Sequence, residues 1–273
     1  VKERLDRLVV DRKLTDSRER AKAFIMAGSV SVNGETVRKP AALIDSSADI
    51  GIQKKRGGYV SRGGIKLEKP LVQFGIAVQD KLCIDIGAST GGFTDCLLQH
   101  GAQHVIAVDV GRNQLDYVLR RDPRVEVIEG FNAREINRLK LERAADVVTI
   151  DVSFISITLI IKPLLSIIHK QTDILCLIKP QFELEKPYTG FKGVVRESEK
   201  HRDILDRLHQ FMICTGYDVL GATHSPIQGP KGNIEYFFHV RKGDGIGLDH
   251  SLLDRVVPDA HEHFISHRGD GND

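Results

Sequence analysis

The 273-residue sequence predicts an α/β protein, a parallel sheet covered on both faces and preceded by a small, basic α+β domain. Three observations predict it. From Lys66 onward, near-continuous apolar strand segments alternate with helical ones, as in parallel sheets buried on both sides. A glycine-rich turn, Asp85-Ile86-Gly87-Ala88-Ser89-Thr90-Gly91-Gly92-Phe93, sits where a strand hands over to a helix. Charge is also divided unevenly: residues 1–62 hold 14 Lys and Arg against 8 Asp and Glu, the remainder 25 against 29. A basic head on a mildly acidic body points to a polyanionic partner for the head.

The first segment reads helix, helix, hairpin. Lys2–Val10 places Leu5, Leu8 and Val9 on one helical face. Thr15 or Asp16 is expected to cap a second helix, which runs through Ala21, Phe24 and Ile25 and stops at Gly28. Val30–Val32 and Thr36-Val37 flank Asn33-Gly34, a strong tight-hairpin signal. Residues 54–64 (KKRGGYVSRGG) carry four glycines and four basic residues and read as a flexible linker. This divides the chain into domains of about 1–58 and 59–273.

In the larger domain a helix near Ile65–Phe74 precedes strand Lys81–Ile86 and a helix from Gly92. Strands follow at His104–Val110, Val125–Ile128 and Asp146–Asp151, the last leading into a helix to about His169. Strand Ile174–Ile178, a helix near Glu199–Cys214 and strands near Tyr217–Ala222 and Ile234–Val240 complete the series. Residues 243–273 hold a weak amphipathic helix around Leu252–Val257 and receive no function.

The glycine turn lies at the carboxyl end of a strand, where such sheets bind ligands. A dinucleotide site wants a second glycine where Ser89 stands, so a pyrophosphate is disfavoured. Asp85 argues the same way, because a carboxylate there suits an ammonium or sulfonium group. S-adenosylmethionine carries both. Its expected contacts are Asp85, the run Gly87, Ala88, Ser89, Thr90, Gly91, Gly92 and Phe93, and Asp151. Asp109, 24 residues after Asp85, is placed to hold ribose hydroxyls, with Val110 beside it and Asn132 near the adenine.

Other classes find less support. Cys83, Cys96, Cys176 and Cys214 form no CxxC pair and read as reduced residues of a cytoplasmic protein, with no metal site expected. Ile155–Ile168 is broken by Lys162 and Pro163 and is too short to span a bilayer, and the charged start VKERLDRLVV is not that of a signal peptide. Amino-group methylation uses an Asp/Asn-Pro-Pro-aromatic loop, where this chain has Asp151-Val152-Ser153-Phe154. Carbon methylation of pyrimidines needs a strand-end cysteine, and none occupies such a loop.

The stretch RLDRLVVDRKLTDSRERAKAFIMAGSVSVNG resembles the S4-type RNA-binding domain. That resemblance makes Arg4, Arg18, Arg20, Lys22 and Asn33 the expected RNA contacts, with Arg62 of the linker. Further along, Lys66, Asp151, Lys179 and Glu235 match the K-D-K-E tetrad of FtsJ-like ribose methyltransferases. The phrases YVSRGGIKL, DIGASTGGFTD, DVSFIS, IKPQFE and GPKGNIEY extend the similarity to the hemolysin A or TlyA family over nearly the whole chain. Membership implies 2′-O-methylation of cytidines in ribosomal RNA, a ribosomal substrate and S-adenosylmethionine as donor. Lys179 is the expected acceptor of the hydroxyl proton, with Asp151 and Glu235 orienting the two lysines. The alternatives are a membrane-active hemolysin and a non-catalytic RNA-binding assembly factor. The oligomeric state is not legible.

Overall fold

A computed structural model describes residues 2–15, 17–26, 28–52, 58–184 and 191–266. The basic stretch 53–57 of the linker, Asp16 and the tail 267–273 lie outside the described residues. The chain divides into two compact units, Val1–Tyr59 and Val60–Asp273.

In the first unit, strand β1 (Lys2–Arg4) is followed by α1 (Leu5–Asp11) and α2 (Arg18–Met26). Strands β2 (Val30–Val32), β3 (Glu35–Thr36), β4 (Leu43–Asp45) and β5 (Ile50–Ile52) complete it. Reading Lys2–Val10 as one helix is thus corrected. Its first three residues pair antiparallel with β4, Lys2 opposite Asp45 and Arg4 opposite Leu43, a partner too distant in sequence to leave a local signal. The hairpin forms at Asn33-Gly34 with φ of 51° and 85°, the two left-handed positions that Asn-Gly supplies. The cap of α2 is Ser17, whose Oγ accepts the Arg20 N–H at 3.3 Å, while Thr15 Oγ1 accepts the Ser17 N–H at 3.1 Å. Leu5, Leu8, Val9, Ala21, Ile25, Val30 and Ile50 are buried together as the core.

The second unit opens with α3 (Arg62–Gln73) and runs through β6 (Leu82–Ile86), α4 (Gly92–Gln99), β7 (His104–Asp109), α5 (Tyr117–Arg120) and β8 (Val125–Glu129). Then come β9 (Val147–Ile150), α6 (Thr158–Leu164), β10 (Asp173–Ile178), α7 (Pro180–Glu183), α8 (Ser198–Cys214), β11 (Tyr217–His224), β12 (Tyr236–Lys242) and α9 (His250–Ser266). They build a seven-stranded sheet of order β11-β12-β10-β9-β6-β7-β8. The five strands from β8 to β10 are parallel, and β12 inserts antiparallel between β10 and β11. Expectation and structure differ there: the terminal hairpin closes one side of the sheet antiparallel.

The strand order has a functional consequence. The chain enters at β6 and builds outward to β7 and β8, then returns to lay β9 on the other flank of β6. That reversal opens a crevice at the carboxyl ends of β6 and β9. Both faces of the central strands are sealed: Ile84, Ile86, Val148, Ile150, Cys176 and Ile178 on one face, and Cys83, Asp85, Thr149 and Leu175 on the other, have no solvent exposure. Helix α9 docks through Leu253, Val256, Val257 and Ala260, extending well beyond the short helix the sequence suggests.

Candidate active site

The crevice is a cavity of about 720 Å³ that gathers residues from the ends of β6, β9 and β10, the start of α3 and the loop ahead of β12. At its floor the glycine turn leaves β6. Gly87 has φ 86°, and a Cβ there would press on the Asp151 backbone, with the carbonyl carbon only 2.9 Å away. Gly92 opens α4 so close to α3 that a Cβ would stand 2.9 Å from both Gly63 Cα and Gly64 N. Two helix amino ends therefore converge on the cavity, α3 capped by Ser61, whose Oγ accepts the Gly63 N–H at 3.3 Å. First-turn N–H groups without helical partners make that corner favourable for an anion.

Across the cavity stand two amine–carboxylate pairs. Lys66 Nζ donates to Glu235 Oε2 at 2.5 Å, and Lys179 Nζ lies 2.5 Å from Asp151 Oδ1. Lys66, Lys179 and Glu235 are at most 9 % exposed. Lys179 also donates to Ser153 Oγ at 2.9 Å. The contact with Asp151 is an ion pair rather than a well-directed hydrogen bond, since no donor among the described residues reaches the buried Oδ1 at good angle. Burial pushes the Glu235 carboxyl above its ordinary range, and the Lys66 and then the Lys179 ammonium pull against that rise.

Helix α3 places Lys66 by a ladder of side chains along one face. Lys66 meets Glu235, Lys69 Nζ donates to His224 Nε2 at 3.0 Å, and Gln73 Oε1 accepts from Thr223 Oγ1 at 2.8 Å. Positions 66, 69 and 73 recur at helical spacing, so the whole face is registered against β11 and the start of β12.

The predicted tetrad thus lies in one cavity with Gly87, Ala88, Ser89, Thr90, Gly92 and Phe93. Asp85 is placed elsewhere. It has no exposure, and its oxygens accept from Thr94 Oγ1 at 2.7 Å and Thr149 Oγ1 at 3.0 Å, beneath the turn. Burial pushes its carboxyl up to about 7, against the pull of neutral donors, the two hydroxyls and the Thr94 N–H. Asp109 borders the turn from β7, accepting the Ser89 N–H at 2.8 Å and the Gly111 N–H at 2.6 Å. Val110 beside it is 73 % exposed, and Asn132 caps the 3-10 turn Ala133–Arg138 by accepting the Arg134 N–H at 3.1 Å. Asp85, Gly91, Asp109, Val110 and Asn132 do not line the cavity.

Residues 59–242 match the model of the FtsJ-like methyltransferases, and residues 3–50 match the S4 domain. The chain is an FtsJ-like methyltransferase carrying an S4 domain. Among its relatives, YqxC of Bacillus subtilis is 44 % identical over 98 % of both chains. The 16S/23S rRNA (cytidine-2′-O)-methyltransferase TlyA of Mycobacterium tuberculosis is 40 % identical over 96 % of this chain and 97 % of its own. Hemolysin A of Brachyspira hyodysenteriae is 46 % identical over 86 % of this chain and 98 % of its own. A solved Streptococcus thermophilus protein, provisionally named a hemolysin, superposes with a TM-score of 0.74 at 42 % identity, covering 98 % of both chains. No described helix of this methyltransferase is long and apolar enough to cross a membrane.

Within the S4 domain, Arg4 and Arg18 both grip Asp6, which has no exposure. Arg4 does so through Nε at 3.0 Å and Nη2 at 2.9 Å, Arg18 through Nε at 3.2 Å. These forks hold the Asp6 carboxyl down at about 2. Asn33 is engaged as well, its Oδ1 accepting the Asp49 N–H at 2.8 Å. Arg20 and Lys22 are half-buried on α2. Arg62 belongs to the other unit and lines the cavity, its Nη2 donating to the Gln228 carbonyl at 3.0 Å.

Several cavity residues escaped sequence reasoning although they sit inside the motifs quoted for the family. Ser153, Phe154, Gln181, Phe182, Lys231 and Asn233 are among them. Phe154 is 88 % exposed with φ 63°, and its ring lies 4.9 Å from that of Phe182. An aromatic residue three positions after a strand-end acid was the available signal. Gln181 Oε1 is buried with no hydrogen-bond partner among the described residues.

Proposed function

We propose that the protein transfers the methyl group of S-adenosylmethionine to ribose 2′-hydroxyls of ribosomal RNA, with cytidine as the modified nucleoside. The observation that carries this reading is the double pairing, Lys66 with Glu235 and Lys179 with Asp151, on the wall of a cavity floored by a glycine turn. The names of the rRNA-modifying relatives support the choice of RNA and nucleoside.

The residues present fit the donor. Ser61, Arg62 and the converging starts of α3 and α4 suit its carboxylate, and the Gly87–Ser89 backbone permits close approach. Asp109 keeps carboxylate lone pairs for ribose hydroxyls at the rim, and exposed Val110 offers an apolar face near Asn132 for the adenine. Asp85 supports the turn from below through Thr94 and Thr149. When bound, S-adenosylmethionine supplies a methyl group on a sulfonium and leaves as a neutral thioether.

On the acceptor side, Lys179 gives the proton of its resting ammonium to solvent and then, as the neutral amine, takes the proton of the 2′-hydroxyl. Asp151 stabilises the ammonium that results, and Ser153 fixes the amine's direction. Lys66 and Glu235 neutralise one another and hold the opposite wall. Aligning the hydroxyl for in-line attack supplies a large share of the acceleration, about 7–11 kcal/mol for well-oriented reactants. Phe154, presented to solvent against Phe182, offers a face on which an unstacked base can rest.

The reading is tested by incubating labelled donor with ribosomal subunits that lack the modification. Label is expected in the RNA with the wild-type protein, and none with Lys179→Ala, whose donor affinity stays near that of wild type. Undiminished transfer by Lys179→Ala would remove Lys179 from the chemistry.

A further inference from the structure

The segment between α7 and α8 reaches the cavity through Phe191 and Gly193, yet Phe191–Glu197 has no regular secondary structure. It is nonetheless anchored, because Val195 is only 2 % exposed. A buried backbone needs partners for its N–H and C=O groups, and at Gly193 and Val195 no backbone group among the described residues supplies them. Two buried side chains do. The Val195 N–H donates to Asn233 Oδ1 at 3.1 Å, and Asn233 Nδ2 donates to the Gly193 carbonyl at 2.8 Å. The Val195 carbonyl lies 3.0 Å from His201 Nε2. Since a carbonyl only accepts, Nε2 carries the ring proton, which leaves Nδ1 to accept from the Tyr236 hydroxyl at 2.8 Å.

Both side chains are themselves tied to the catalytic strand. The Asn233 backbone carbonyl accepts the Gly229 N–H at 2.9 Å, closing the turn that leads to Glu235, and Tyr236 follows Glu235 directly. Asn233 is 3 % exposed and His201 is not exposed at all, so these bonds are shielded from competing water. Gly193 completes the arrangement with φ 86°, a conformation that other residues rarely adopt.

The geometry points to Asn233 and His201 as positioning residues that fix the Gly193–Val195 segment as the cavity wall facing the RNA acceptor. This rests on the ribose-methylating reading for what the wall faces. The donor corner is built from other elements, the glycine turn and the start of α3, so donor binding does not depend on these bonds.

The test uses Asn233→Ala and His201→Phe in the full chain, with steady-state kinetics on ribosomal subunits, donor calorimetry and limited trypsin digestion. Each variant leaves backbone groups of the segment unsatisfied. KM for the RNA is expected to rise about tenfold or more, with kcat within about threefold and donor affinity unchanged. Cleavage after Lys192 or Arg196 is expected to accelerate in the RNA-free protein. Gly193→Ala covers the case in which a buried-site variant fails to fold. A Cβ there meets nothing closer than Lys231 Nζ at 3.8 Å, so the strain is confined to the segment, and the same rise in KM is expected. Unchanged KM and unchanged cleavage would overturn the assignment. So would a fall in kcat with KM intact, because that places the effect on Glu235 instead. Wild-type protein that transfers no methyl group to RNA defeats the proposed function, while the digestion result still decides whether the two side chains hold the segment.

Discussion

Lys66 and Glu235 are 169 residues apart in the chain and 2.5 Å apart at their charged atoms, with the carboxylate only 1 % exposed. A pair so enclosed is costly to break from one side, because the remaining charge stays buried without a partner. Lys66→Met or Glu235→Leu alone is therefore expected to lower the unfolding free energy by about 3–5 kcal/mol. The double variant recovers most of that loss yet transfers no methyl groups. Denaturant titration of the three variants checks this; a double variant as unstable as either single one would show that the pair does not act as a unit.

Much of this site is legible in the sequence for a physical reason. Parallel strands deliver their carboxyl ends to one rim, so Asp151 and Lys179, each closing an apolar run, had to be neighbours of the Gly87–Gly92 turn. Legibility fails where a role depends on contacts across the fold. Asp85 reads as a ligand-facing acid, but Thr94 and Thr149 enclose it. Strands β1 and β4 are invisible locally because each consists of three residues whose partner lies some forty positions away. Asn233 is part of a quoted motif, yet its task appears only when Val195 and Gly193 are seen against it.

The buried Asp85 gives the enzyme a pH signature. Its folded pKa, about 7, exceeds the ordinary carboxylate value of 3.8, so the folded state holds this proton more tightly than the unfolded chain does. The linkage sign follows: this group's contribution falls as pH rises from about 4 to about 7 and levels off above that. Asp85→Asn, with a neutral side chain of the same shape, is expected to be less sensitive to pH across this window and relatively more stable at pH 8. Melting temperatures of both proteins from pH 4 to 8 measure it. Parallel curves would mean that Asp85 does not titrate there.

Arg4 and Arg18 have a second duty beyond any contact with RNA, since both neutralise Asp6. Arg18→Lys keeps the charge but cannot keep the fork, and Arg18→Glu reverses the charge. Binding to ribosomal RNA is expected to weaken in both, while the slope of log K against log salt becomes shallower only for Arg18→Glu. Filter binding across a salt series separates the two effects. Wild-type affinity in Arg18→Glu would mean that the S4 domain does not hold RNA through this face.

The atom that receives the methyl group decides between ribose and base methylation. Nucleoside analysis by mass spectrometry of ribosomal RNA methylated by the purified protein reports that atom directly. The expected product is 2′-O-methylcytidine, lost in Lys179→Ala. A base-methylated nucleoside such as 5-methylcytidine, formed in place of the ribose-methylated one, would contradict the assignment of Lys66, Asp151, Lys179 and Glu235 to a sugar hydroxyl.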